Sequence, residues 1–314
     1  MYKKLLFGEI TKKIWVLLRF LLLVGFCFVI LYPIIYMLSM SFRDSKDLMD
    51  PSVIWVTRNF TFENFKDAFE GMEYLKSLST TITIGLVSSL PQTISCCFVA
   101  YGFARFKFKE RGLMFTFLLL TVIIPPQVTL IPLYLLYKNF GIPFLSGILQ
   151  DITGYVMTAN LIDNPLAFYL PAIFGMGIRS GLYIFILRQF FIGFPDELEQ
   201  AAEIDGCNSF STFVRVILPN AGSMLLTVSL FSIVWYWNDT FYTSTFLGQS
   251  KTLAIALSVL RSALAESEGM TNNFYESTAQ MQAGCLIFIL PLLILYIVMQ
   301  RYFTEGIERS GLVG

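Results

Sequence analysis

In this chain of 314 residues, 55% are hydrophobic and only 14% charged, far from soluble proteins, in which charged residues make up about a quarter. It reads as an integral membrane protein. Zero net charge with scattered basic residues leaves no nucleic-acid footprint, and five cysteines without a Cys-x-x-Cys spacing, in a chain with no His, argue against a disulfide framework or any metal site.

Four lysines, Lys3, Lys4, Lys12 and Lys13, precede the first apolar stretch, whose uncharged run is Phe20–Phe42. That stretch is too long for a secretory signal and lacks a small-residue cleavage site, so an uncleaved first span is expected. Further runs long enough for a hydrocarbon core of about 30 Å are Ser77–Ala104, Gly112–Tyr137, Val216–Asn238 and Ser277–Gln300. Asn164–Leu187 is a sixth, with one charge, Arg179. The expectation is one all-α membrane domain, 1–314, with six spans at about 14–42, 77–104, 112–137, 164–190, 216–239 and 277–301. Six spans put both termini on one side. The cluster Arg105, Lys107, Lys109 and Arg111, with the N-terminal lysines, makes that side cytoplasmic. The 22 Lys and Arg then divide thirteen inside, eight outside and Arg179 within the membrane.

Pro125, Pro126 and Pro132 interrupt the third span and free backbone carbonyls that only neighbouring helices or a watery cavity can satisfy. A kinked helix facing a pathway follows. Gln127, the polar group there, reads equally as a pathway contact or an interhelical hydrogen bond. Arg179, two and a half turns before Arg188, is either an inward-facing structural partner or a substrate ligand.

Between spans four and five lies a polar segment, 195–219, reading PDELEQAAEIDGCNSFSTFVRVILP. Pro195 and Asp196 start a helix, Asp196, Glu197 and Glu199 place negative charge on its first turn, and Gly206 stops it. Leu198, Ala201, Ala202 and Asp205 share one small, flat face suited to docking. Ser209 is positioned to cap a second helix, whose Phe210, Phe213, Val214 and Ile217 form a face for packing on the chain itself, ending at Pro219.

Trp235, Trp237, Asn238 and Asp239 end span five, about 28 Å of helix beyond Pro219 and so near the outer interface. They read either as an aromatic belt or as flat faces with an amide and a carboxylate for a sugar ring. Beyond them, Leu253, Leu257, Leu260 and Leu264 mark an amphipathic helix within Lys251–Glu266.

Two energy sources have no residues here. No Asp, Glu or His inside a span forms a proton relay, and an Arg stays protonated, although sodium coupling through backbone carbonyls stays open. There is no phosphate loop either: Gly248-Gln249-Ser250-Lys251-Thr252 lacks its spacing. Catalytic residues are therefore expected to be absent, with ATP and Mg bound by a separate ATPase subunit.

Gln200-Ala201-Ala202, Gly206 four residues on, and Val216, Leu218 and Pro219 resemble the "EAA" loop of binding-protein-dependent ABC importer permeases. The likeness extends to 124–134 around Pro125-Pro126-Gln127, to Leu187-Arg188-Gln189-Phe190-Phe191, to Trp235–Asp239 and to Gln300–Gly306, as in carbohydrate importers, and the chain resembles the second, six-span permease of the maltose transporter. The resemblance implies a type I importer fold and a multi-pass cell-membrane protein that binds no cofactor. Its implied partners are a second permease, an ATPase dimer and an extracytoplasmic solute-binding protein that delivers a sugar or oligosaccharide through the lipid bilayer. Coupling to the ATPase then falls to Glu197, Glu199, Gln200, Ala201, Ala202, Asp205, Gly206 and Pro219; Gln127, Arg179, Trp235, Trp237, Asn238 and Asp239 stand on the substrate pathway, and the outer loop meets the binding protein. Two departures stand out. Gln200 replaces the family's usual Glu, for which Glu199 or Glu203 is a substitute, and the stretch from about Phe144 to Asn164 is longer than the usual connection. Another solute, such as a polyol, glycerol phosphate or peptide, or a sodium-coupled carrier, is the alternative.

Overall fold

The computed structural model describes residues 2–53, 55–141, 159–248, 250–267 and 274–311. These are mostly helical, with two isolated β-bridges and no strand among the described residues. The extra stretch expected at 144–164 lies, up to residue 158, outside them. The chain divides into two compact units, 1–72 with 259–289, and 73–258 with 290–314.

The first unit opens with helix α1 (Tyr2–Ser41), whose apolar part, Lys12–Ser41, is long enough to cross a bilayer and matches the expected first span. The Asp44 side chain caps the short α2 (Ser45–Leu48), accepting from Lys46 N–H at 3.0 Å. Buried Asn64, in α3 (Glu63–Gly71), donates to the carbonyls of Ser41 and Arg43 at 3.1 and 2.8 Å and so ties α3 to the end of α1.

Helix α4 (Tyr74–Arg105) is the axis of the second unit. Its buried face carries small and hydroxylated residues, Ser77, Thr81, Ser88, Ser89 and Thr93, beside Gln92 and Cys96. Thr81 and Thr93 bond back to the carbonyls four residues earlier, at 2.7 and 2.8 Å, so these two hydroxyls are satisfied without solvent, and the small side chains let neighbouring helices approach closely. The expected third span is broken. Helices α5 (Arg111–Ile123) and α6 (Pro126–Lys138) meet at 101°, because Pro125 forces Ile124 into the extended region and removes an amide. The residues expected as span four form two shorter helices, α7 (Leu166–Ile173) and α8 (Ser180–Ile192), separated by Phe174–Arg179 with Gly175 and Arg179 at φ of +67° and +62°.

Next come α9 (Asp196–Ile204) and α10 (Ser209–Asn220), the latter with a π-helical stretch at Phe213–Ile217, where Leu218 N–H reaches back to the Phe213 carbonyl. A 77° bend then leads into α11 (Gly222–Asn238), so the expected fifth span straightens only after Ala221. Short helices α12 (Phe241–Phe246) and α13 (Leu253–Ser258) follow, then, in the first unit, α14 (Leu260–Ser267). The outer amphipathic helix is thus two pieces, with Leu253, Leu260 and Leu264 buried and Leu257 half-buried. Helix α15 (Phe274–Gly311) contains the last expected span. Among the described residues, three unbroken helices are long and apolar enough to cross a membrane, or up to five spans if each bent pair counts as one.

Candidate functional site

The hairpin is built as its residues dictate. Pro195 precedes α9, the acidic first turn faces the positive helix end, and Gly206 at φ +82° closes a Schellman cap in which Gly206 and Cys207 amides donate to the Glu203 and Ala202 carbonyls at 3.0 and 2.9 Å. The second helix is capped by Asn208, which accepts from Ser211 N–H at 2.8 Å, and not by Ser209, the next residue along. Phe213 and Ile217 are buried as expected, but Phe210 and Val214 are exposed, with Phe210 stacked on Phe98.

The expected flat face of α9 is corrected in one place. Ala202 is buried against the chain, whereas Glu197, Leu198, Gln200, Ala201, Ile204, Asp205 and Gly206 are exposed, as is Pro219 at the end of α10. Glu199 is no stand-in for Gln200 either, because its carboxylate is engaged internally. Arg105, at the end of α4, is 3.1 Å from it through Nε, pairs with Asp196 through Nη1 and donates to the Phe194 carbonyl through Nη2. Tyr101 OH donates to the same Glu199 oxygen at 3.3 Å. One arginine therefore pins the start of α9 to α4.

A cavity of about 500 Å³ lies between the broken helices α5–α6 and α7–α8, with α11 and α12. Tyr137, Phe168, Tyr236, Tyr242 and Phe246 give it aromatic walls, and Thr121, Thr129 and Ser180 add hydroxyls. The link between α7 and α8 is held there by Gln92, whose amide donates to the Ile178 carbonyl at 2.7 Å and Ser180 Oγ at 2.8 Å, while Ser232 donates to its carbonyl oxygen at 3.2 Å. Gly177 belongs to this knot: a Cβ there would stand 2.5 Å from the Tyr236 hydroxyl oxygen and 2.9 Å from Gln92 Oε1.

Of the expected pathway residues, the structure brings two together. Arg179 lines the cavity, and its guanidinium sits 4.3 Å above the ring of Trp235. Gln127 is exposed on α6 and off the cavity wall, between the lining residues Pro126 and Thr129. Trp237 is buried, Asn238 donates to the Val234 carbonyl at 2.8 Å, and Asp239, one residue before the N-cap Thr240, accepts from the Tyr242 and Thr243 amides and the Thr243 hydroxyl, which ties it to the first turn of α12. None of these three lines the cavity. The sequence reading missed Tyr236 and Tyr242, whose signal was an aromatic residue between two tryptophans and another just past the helix end, and Gln92, which carried no signal beyond an amide in an apolar run.

Long apolar helices, broken spans around a cavity and a polar hairpin pinned to a span end describe a membrane permease. The match of residues 97–309 makes the assignment particular: the chain belongs to the family of binding-protein-dependent transport system inner membrane components. It is 27% identical to the arabinooligosaccharides transport system permease protein AraQ of Halalkalibacterium halodurans, over 96% of this chain and 99% of that one. It is 24% identical to the diacetylchitobiose uptake system permease protein DasC of Streptomyces coelicolor, over 99% and 100%. Among solved structures, it shares its fold with a chain of a bacterial ABC transporter involved in the import of the acidic polysaccharide alginate (TM-score 0.67, 21% identity, 93% of this chain and 98% of that one).

Proposed function

We propose that this chain is a permease subunit of an ATP-driven importer that translocates a sugar or oligosaccharide handed over by an extracytoplasmic solute-binding protein. What carries the reading is near full-length similarity to permeases named for arabinooligosaccharide and diacetylchitobiose uptake, together with an aromatic-walled cavity of a size that suits a small solute. In this reading the domain has six spans, with α5–α6, α7–α8 and α10–α11 as broken ones, both termini and the α9–α10 hairpin are cytoplasmic, and a second permease completes the pathway.

Helix α9 is the coupling element. Its exposed Glu197, Leu198, Gln200, Ala201 and Ile204 meet an ATPase subunit, which binds ATP and Mg, while Arg105 links the helix to α4. Closure of the ATPase dimer moves α9, and rigid-body rocking of the spans switches access to the cavity. The chain itself makes and breaks no bonds. Purification from its own cells in mild detergent is expected to recover a second permease and a P-loop ATPase, and the complex, given its binding protein in vesicles, to accumulate labelled oligosaccharide only with ATP. Transport without ATP would overturn the reading.

A further inference from the structure

We propose that Arg179 makes the cavity a site for an anionic group, so that the solute carried is an acidic, carboxylate-bearing oligosaccharide; this rests on the saccharide reading above. Arg179 is the one charged side chain among the described residues that line the cavity. No described carboxylate lies within 4 Å of its guanidinium, the described ion pairs being Arg58–Asp50, Lys76–Glu73, and Arg105 with Asp196 and Glu199. Asp239, at the end of α11, holds Thr243 and Tyr242 instead. The contact that Arg179 does make, 4.3 Å above the Trp235 ring, is with an aromatic face and not with a carboxylate, so it brings no negative charge to balance the guanidinium.

Backbone geometry adds to the charge. Arg179 is the N-cap of the thirteen-residue α8, whose first residues Ser180, Gly181 and Leu182 also line the cavity, so the positive end of a helix and a cation converge on one wall. At φ +62° glycine would serve the turn without strain; what arginine contributes there is its side chain. A cation in an apolar wall without a counter-charge attracts an anion strongly and gains less from a neutral hydroxyl. Tyr236, Tyr242 and Phe168 supply faces for the sugar rings beside it.

The test uses the purified complex with its partner permease and ATPase, without binding protein, titrated calorimetrically with digalacturonate, galactobiose and glutarate. Digalacturonate is expected to bind at least tenfold tighter than galactobiose. Arg179→Gly, which suits the backbone angle and so should assemble, is expected to bring digalacturonate down to the galactobiose level, and Arg179→Lys to keep most of the preference. Equal affinities in the wild type, unchanged digalacturonate binding in Arg179→Gly, or no binding of any probe overturns the proposal. Arg179-dependent binding of glutarate with neither saccharide bound would keep the anion site and remove the saccharide reading; Arg179-independent binding of galactobiose alone would do the reverse.

Discussion

Asp47 shows how much one buried carboxylate can organise. One oxygen accepts from Thr57 Oγ1 and the Arg58 and Asn59 amides at 2.6, 2.6 and 2.8 Å, the other from Asn59 Nδ2 at 2.7 Å, which folds the segment after α2 back on itself. These donors, Thr57 first, hold the Asp47 carboxyl well below the usual carboxylate range, more than offsetting desolvation. A depressed folded-state pKa means that the stabilisation is whole above the unfolded pKa of about 4 and is lost as the pH falls below it towards the folded value. Proteolytic cleavage within 50–60 is therefore expected to be constant between pH 7 and 5 and to accelerate only in stronger acid. In Asp47→Asn it should be fast at every pH, because the amide turns a donor towards donors. Cleavage that rises smoothly from pH 7 would refute this. No sequence pattern announced the knot, since its donors lie ten to twelve residues away across a loop. Gly206, by contrast, was legible because only glycine adopts φ +82° freely after a helix.

At the scale of elements, the joint between α4 and α9 is the one most exposed to test. Arg105 and Glu199 keep 12% and 20% of their side-chain surface exposed, whereas Asp196 keeps 70%, so the pair with Glu199 carries more of the binding and Asp196 adds little through solvent. A double-mutant cycle with Arg105→Gln and Glu199→Gln is expected to give a coupling of about 1 kcal/mol in the thermal stability of the complex. Each single variant should lower the solute moved per ATP hydrolysed, since a loosened α9 follows the ATPase without carrying α4. Full coupling efficiency in both variants would show that α9 needs no such pin. Here too the sequence told part of the story. The hairpin was readable from its acidic first turn, its glycine stop and Pro219, all local signals. The burial of Ala202 and the engagement of Glu199 were not, because Arg105 lies more than ninety residues away. The break between α7 and α8 was hidden for the same reason: an apolar run with scattered glycines reads as one span, and it is Gln92, 86 and 88 residues away from its partners in the link, that holds the chain open.

Taken whole, the chain leaves much of its apolar surface and its broken backbone in need of other protein. Helix α1 exposes Leu17, Phe20, Leu21, Val24, Phe28 and Ile30 along its length, and α15 exposes Leu290, Leu293, Ile294 and Ile297. Lipid accepts such side chains, but it does not accept the unpaired backbone of a helix break. Helices α5 and α6, at thirteen residues each, measure about 20 Å and cannot cross a 30 Å core singly; in the proposed reading, in which the two make one span, the break at Ile124–Pro125 lies at membrane depth and needs protein or a watery cavity beside it. The cavity beside it meets part of that need, and a second permease across the pathway would meet the rest. A partner that binds only the folded chain stabilises it by about 2.7 kcal/mol at a hundredfold excess over its Kd, worth roughly 4 °C for a chain of this size. Followed by the fluorescence of its four tryptophans, the chain alone in detergent is accordingly expected to melt about 4 °C below the complex and, in vesicles, to move no solute. Equal melting temperatures together with uptake by the isolated chain would mean that it closes its own pathway, and the dependence on partners argued from its broken helices would be wrong.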